Sequence, residues 1–136
     1  MTSRIETFTI GQHFSYDRQV TADDIAAFAD VSGDHNPVHL NPEFAQGTFF
    51  RGVIAHGMLS AAFISKVLGT NLPGEGAIYL EQLLKFKAPV RPGDTVTVRV
   101  EIIDVNVAKQ RIRLRTTCAV GDTLVLDGEA LLWVPN

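Results

Sequence analysis

The run Gly33-Asp34-His35-Asn36-Pro37-Val38-His39 sets a carboxylate, an amide and an imidazole close together, with a proline among them. Asp and His are the side chains most used as general acids and bases near neutral pH. Pro37 lacks an N–H and pushes Asn36 away from helical geometry. The run therefore reads as a turn that aims its polar groups at one spot, not as a continuing helix. Asp34 and His39 could hold one water between them, with Asn36 positioning that water or bonding to neighbouring backbone. A plainer reading stands beside this one, because Asp and Asn bond their own backbone in ordinary turns. Asp34, His35 and His39 could also be offered to a metal, but no further ligand follows at matching spacing.

A second group, Ala55-His56-Gly57-Met58, opens an apolar segment. At a helix start, free N–H groups point outward and the dipole favours negative charge. Gly57 has no side chain to block an oxygen approaching its own N–H. His56 reads either as a hydrogen-bonded structural residue or as a substrate contact. A base, an acid and an oxyanion donor are what the addition of water to an α,β-unsaturated thioester requires. The base takes a proton from water as it attacks the β-carbon, and the acid protonates the α-carbon. The donor holds the enolate-like oxygen that develops between those steps.

These groups need elements to position them. Thr21-Ala22-Asp23-Asp24 predicts a helix start, with a Thr N-cap and carboxylates at the positive end of the dipole. Ile25, Phe28 and Ala29 follow with helical spacing, and Gly33 stops the helix and delivers the chain into Asp34. A second helix is predicted from about Gly57 to Leu68, with Gly69 at its end. It is apolar on nearly every face and should be surrounded by other structure. Thr95 to Ile102 and Arg111 to Thr116 alternate apolar and polar residues, the period of a strand with one dry face. Ala77 to Val90 and Thr123 to Val134 supply two more strands, and Arg91-Pro92-Gly93-Asp94 and Val120-Gly121-Asp122 supply turns. Short turns between strands imply an antiparallel sheet, so the expectation is an α+β protein with a curved sheet wrapped about a central helix.

A chain of 136 residues, 46% of them hydrophobic, suits one domain spanning 1–136 with a single core. A net charge of only −3 and the lack of a long basic run argue against nucleic acid as a partner. Cys118 is the single cysteine and cannot form an internal disulfide, which fits a reducing compartment and a buried small hydrophobe. Met1 to Glu6 has no apolar h-region. Val53 to Leu68, the most apolar stretch, carries His56, Ser60, Ser65 and Lys66, and is shorter than the ~20 residues a membrane span needs. A soluble cytoplasmic protein without a membrane partner is expected.

Together these residues resemble the (R)-specific enoyl-CoA hydratases, the MaoC-like dehydratase or hydratase-2 family. The stretch from Phe28 through Ser32-Gly33-Asp34-His35-Asn36-Pro37-Val38-His39 to Ala45 matches the family's motif throughout. The likeness continues in Ile54-Ala55-His56-Gly57-Met58-Leu59, in Ile78-Tyr79-Leu80-Glu81-Gln82 and in Phe86 to Asp94. It implies a hot-dog fold, a curved antiparallel sheet around one long helix. It also implies reversible hydration of trans-2-enoyl-CoA to (R)-3-hydroxyacyl-CoA, with no metal or redox cofactor. Asp34 and His39 would be the catalytic pair, with Asn36 shaping their loop and the Gly57 N–H holding the thioester oxygen. Ser65 would face the substrate from the central helix, and a homodimer would place each site near its interface. Compact members often feed polyester synthesis or short-acid metabolism. Leu83 stands where a serine is often found in the family, which bears on acyl-pocket size.

The nearest alternatives are a hot-dog thioesterase and an acyl-carrier-protein-linked 3-hydroxyacyl dehydratase. Both often place a working carboxylate on the central helix, and none stands between Gly57 and Gly69. A non-catalytic acyl-CoA-binding module is the alternative from another class. The intact Asp34 and His39 count against it.

Overall fold

Residues 2–136 are described in a computed structural model; Met1, with which the N-terminal segment above begins, lies outside them. A 3₁₀ turn, Arg4–Thr7, leads into strand β1 (His13–Gln19) and helix α1 (Ala22–Ser32). Two short helices follow, α2 (Pro37–Leu40) and α3 (Pro42–Gln46), and then the long helix α4 (Gly57–Thr70). The chain ends in four strands: β2 (Ile78–Phe86), β3 (Thr95–Asn106), β4 (Arg111–Val120) and β5 (Thr123–Trp133). They form one sheet in the order β1-β3-β4-β5-β2, every neighbouring pair antiparallel. Helix α4 packs on β3 and β4. This is the expected hot-dog arrangement.

Period-two patterning sets which side of the sheet is dry. Val96, Val98, Val100 and Ile102 of β3 are fully buried, as are Ile112, Leu114, Thr116 and Cys118 of β4. They meet Leu59, Ile64, Val67 and Leu68 of α4 in one core. Burying each large aliphatic side chain there stabilises by roughly 1.5–3 kcal/mol.

Two strands run further than their alternation predicts. The register of β3 against β4 shifts between Ile102 and Asp104, a bulge that lets pairing continue to Asn106. β4 likewise continues from Thr116 to Val120. β2 is shorter than the predicted Ala77 to Val90, because the Lys87 and Ala88 N–H groups both turn to the Val125 carbonyl and Pro89 has no donor to continue the ladder.

The enclosure of the central helix is also incomplete within one chain. Met58, Ala62, Ser65 and Gly69 form an exposed stripe at helical spacing, with Met58 53% exposed. Beyond the sheet's end, β2 is an edge strand carrying exposed Ile78, Tyr79, Leu80, Leu83 and Phe86. No helix among the described residues is long and apolar enough to cross a membrane.

Candidate active site

Helix α1 launches the loop that carries Asp34 and His39. Thr21 accepts the Asp24 N–H while the Asp24 carboxylate accepts the Thr21 N–H, a capping box that fixes the helix start. At the other end Gly33 takes the left-handed conformation, φ 79°, as the sequence predicts. Ser32 Oγ donates to the Phe28 carbonyl at 2.6 Å and accepts the Asp34 N–H at 3.1 Å, tying the loop to the helix it leaves.

From there the loop is built by short-range side-chain caps. Asp34 Oδ1 accepts the Asn36 N–H at 3.2 Å, and Asn36 Oδ1 accepts the Val38 N–H at 3.2 Å. Pro37 then stands at the first position of α2, where its missing N–H costs nothing. The predicted turn is thus a turn followed by one helical turn, and His39 lies on that helix. Asn36 uses its carbonyl as a cap; its amide N–H groups have no partner among the described residues. Asn41 repeats the device for α3 by accepting the Phe44 N–H.

Two longer-range bonds aim this loop. His39 is half-buried, and its Nδ1 lies 2.8 Å from the Ile54 carbonyl while the Ile54 N–H donates to the Val38 carbonyl. A carbonyl only accepts, so Nδ1 carries a proton, and in the neutral ring Nε2 is the nitrogen with the lone pair. His56, 3% exposed, places Nε2 at 3.0 Å from the Asp34 carbonyl. Its ring stacks on His39 at a centroid distance of 3.8 Å and leans on Phe28 at 4.9 Å.

One carboxylate or imidazole atom from each of Asp34, His39 and His56 falls within 4.8 Å of the others. That spacing suits a water bridged between Asp34 and His39. It suits a cation poorly. Each ring already commits one nitrogen to a main-chain carbonyl, His39 Nδ1 to Ile54 and His56 Nε2 to Asp34, so only one nitrogen of each is left for an ion. His35 stands apart, exposed, with Nε2 3.5 Å from Asp30.

Gly57 opens α4, and His56 supplies no side-chain cap there. The Gly57 N–H has no acceptor among the described residues, and the residue is exposed. It borders a cleft of about 400 Å³ whose walls include Phe49, Phe50, Met58, Phe86 and Val125. A Cβ on Gly57 would lie 2.6 Å and 2.7 Å from two carbons of the Phe86 ring, so the glycine also makes room for that wall. The Ile54–Gly57 segment lines the cleft and bonds to the Asp34 loop, and so joins the two halves of the site.

Other predicted positions fall elsewhere. Ser65 lies two turns along α4 on its exposed stripe, away from the cleft. Leu83 points to the outer side of the sheet, where it borders Arg115 and Asp127, not to an acyl pocket. Val67 and Leu68 are fully buried in the core. Among the basic residues, Lys87 lines the cleft, while Arg91 donates to the Phe50 carbonyl and pins the aromatic loop. The sequence does not point to Phe49, 93% exposed, as a cleft wall, and Phe86 enters there only as the start of a family-like stretch. Adjacent aromatics beside a glycine, and an aromatic at a strand's end, are the only local signals for them.

Residues 6–123 match the model of the MaoC-like domain family. Over 125 residues the chain is 53% identical to the (R)-specific enoyl-CoA hydratase of Rhodospirillum rubrum, covering 92% of this chain and 87% of that protein. It is 50% identical over 119 residues to the 3-hydroxybutyryl-CoA dehydratase of Methylorubrum extorquens, covering 88% and 76%. Among solved structures, the (R)-hydratase of A. caviae involved in PHA biosynthesis superposes with a TM-score of 0.92 at 42% identity, covering 96% of this chain and 99% of that one.

Proposed function

Since the chain belongs to the MaoC-like domain family, we propose that it catalyses reversible hydration of a trans-2-enoyl-CoA to the (R)-3-hydroxyacyl-CoA. The observation that carries this reading is the juxtaposition of Asp34 and His39, water-bridging distance apart, with the free Gly57 N–H joined to them through Ile54 and His56. Water held by the pair gives up a proton as its oxygen bonds the β-carbon. A proton from the pair closes the α-carbon. Between those events the thioester oxygen carries the displaced electrons, and the Gly57 N–H at the positive end of α4 is the donor for it. A donor of that kind typically contributes about 3 kcal/mol to the barrier. The sum is one water added across one double bond with no change of oxidation state overall, so no electron carrier is needed.

The acyl chain fits the apolar cleft walled by Phe49, Phe50, Met58 and Phe86, which suits a short to medium enoyl group. The same reading includes a cytoplasmic homodimer. The support for the dimer is the open β2 edge, together with the exposed α4 stripe whose Met58 lines the cleft along with Phe86 of β2.

The test mixes the protein with crotonyl-CoA and follows loss of the conjugated absorbance, then offers the product to (R)- and (S)-specific dehydrogenases. Fast loss giving the (R)-alcohol is expected. Asp34→Asn and His39→Ala should each lower kcat by at least about 100-fold while the fold is kept. Free thiol release would mark a thioesterase. Activity only on carrier-protein thioesters would move the substrate from coenzyme A to that carrier.

A further inference from the structure

Resting on the assignment of Asp34 and His39 as the acid–base pair, we infer that His56 is the residue that positions both of them, by one hydrogen bond and one stacked ring. The hydrogen bond runs from His56 Nε2 to the main-chain carbonyl of Asp34, 22 residues earlier, at 3.0 Å. Because a carbonyl cannot donate, this bond fixes the His56 tautomer with its proton on Nε2.

In the neutral ring the other nitrogen, Nδ1, carries a lone pair. It is buried and has no partner among the described residues. A buried polar atom left unpaired needs a reason to persist. An apolar side chain would fill the same space without that cost, but it could not hold the Asp34 carbonyl. A glutamine could. Its amide N–H reaches about as far from Cβ as imidazole Nε2.

The second half of the role belongs to the ring face. His39 lies against it at 3.8 Å, with Phe28 on another side at 4.9 Å and tilted by 52°. The His39 ring is therefore held between its Nδ1–H bond to the Ile54 carbonyl and the His56 face. Its remaining nitrogen cannot swing away without breaking one or the other. His56 is 3% exposed and commits its Nε2 to the Asp34 carbonyl, so its assigned role is to hold the pair, not to transfer a proton itself. It acts through Asp34 and His39.

The experiment compares His56→Phe, which keeps an aromatic face and loses the donor, with His56→Gln, which keeps the donor and loses the ring. Displacement of a reacting group by about 1 Å costs on the order of 100-fold in rate. His56→Phe should therefore lower kcat on crotonyl-CoA by about that factor, with KM within roughly threefold of the parent. His56→Gln should recover at least about tenfold of the lost kcat. A kcat for His56→Phe within about threefold of the parent would overturn the inference. So would equal losses in both variants with equally lowered melting temperatures, the mark of a purely structural residue.

A separate readout does not depend on turnover. Imidazole nitrogen NMR of the parent protein should show His56 as the Nε2–H tautomer and His39 as the Nδ1–H tautomer. The opposite tautomer at His56 sinks the proposal even if the protein is active. Conversely, inactivity on every enoyl thioester with both tautomers as stated would overturn the hydratase reading and, with it, the catalytic half of this one.

Discussion

Gly57 is asked to do two things, and a methyl group separates them. Alanine keeps the N–H but its Cβ would press on the Phe86 ring at 2.6 Å and 2.7 Å. That ring is a half-exposed side chain that can give way, so Gly57→Ala should fold. The displaced ring alters the cleft beside the donor, and kcat/KM on crotonyl-CoA should fall by about tenfold. Adding Phe86→Leu should restore much of that loss, a coupling that a double-mutant cycle would read directly. Cys118 behaves differently. It is buried in the core, Sγ 3.8 Å from the Ser60 carbonyl, and burial pushes its thiol up to about 12. A thiol reagent at about pH 8 should leave it unmodified in the native protein and label it fully in denaturant. At this scale the sequence was most legible around Asp34, Asn36 and His39, whose spacing already implies a turn with shared aim. The partner of each was not legible. Nothing local to His56 says that its Nε2 faces a carbonyl in another loop.

Helix α1 depends on its first turn. The Arg18 guanidinium beside Asp24, and then the Thr21 N–H, hold the Asp24 carboxyl well below the usual carboxylate range. A carboxylate with a depressed native value stabilises the fold above its unfolded value of 3.8, and that contribution disappears as pH falls further. Water screens this partly exposed pair and keeps its worth small. Asp24→Asn keeps an oxygen for the Thr21 N–H but loses the charge facing Arg18 and the α1 dipole. It should therefore cost about 0.5–1 kcal/mol near neutral pH, and the gap from the parent should narrow as pH falls below about 4. Chemical unfolding of both proteins across that range is the check. Elements with an unbroken pattern, such as the alternation in the first half of β3 and the apolar run of α4, are readable without a structure. The bulges after Ile102 and Tyr79 are not, because no residue type there announces a change of register. Strand β1 gives a faint signal for a different reason: Arg18 takes the third inward position after Phe14 and Tyr16, so the apolar alternation stops after two residues.

At the scale of the molecule, the two ends of the sheet are finished differently. Strand β1 carries Asp17, Arg18 and Gln19, while β2 shows Ile78, Leu80 and Leu83 to solvent. Charge on an edge strand discourages pairing, and an exposed apolar edge invites it. Leu80→Lys should therefore shift sedimentation from twice the chain's mass toward the chain's own mass. A parent that sediments as a monomer at every concentration would remove the dimer from the reading. The cleft was the least legible part of the protein, since it draws Phe49, Phe86 and Val125 from three separate stretches that only the topology brings together. Those walls are side chains, whereas the bonds that aim Asp34 and His39 end on the main-chain carbonyls of Asp34 and Ile54. Every residue type has a carbonyl, so replacing the side chain at position 54 leaves that acceptor in the chain. Taste and chemistry are thus encoded in different alphabets, and a lineage could revise what this pocket accepts without rewriting how it reacts.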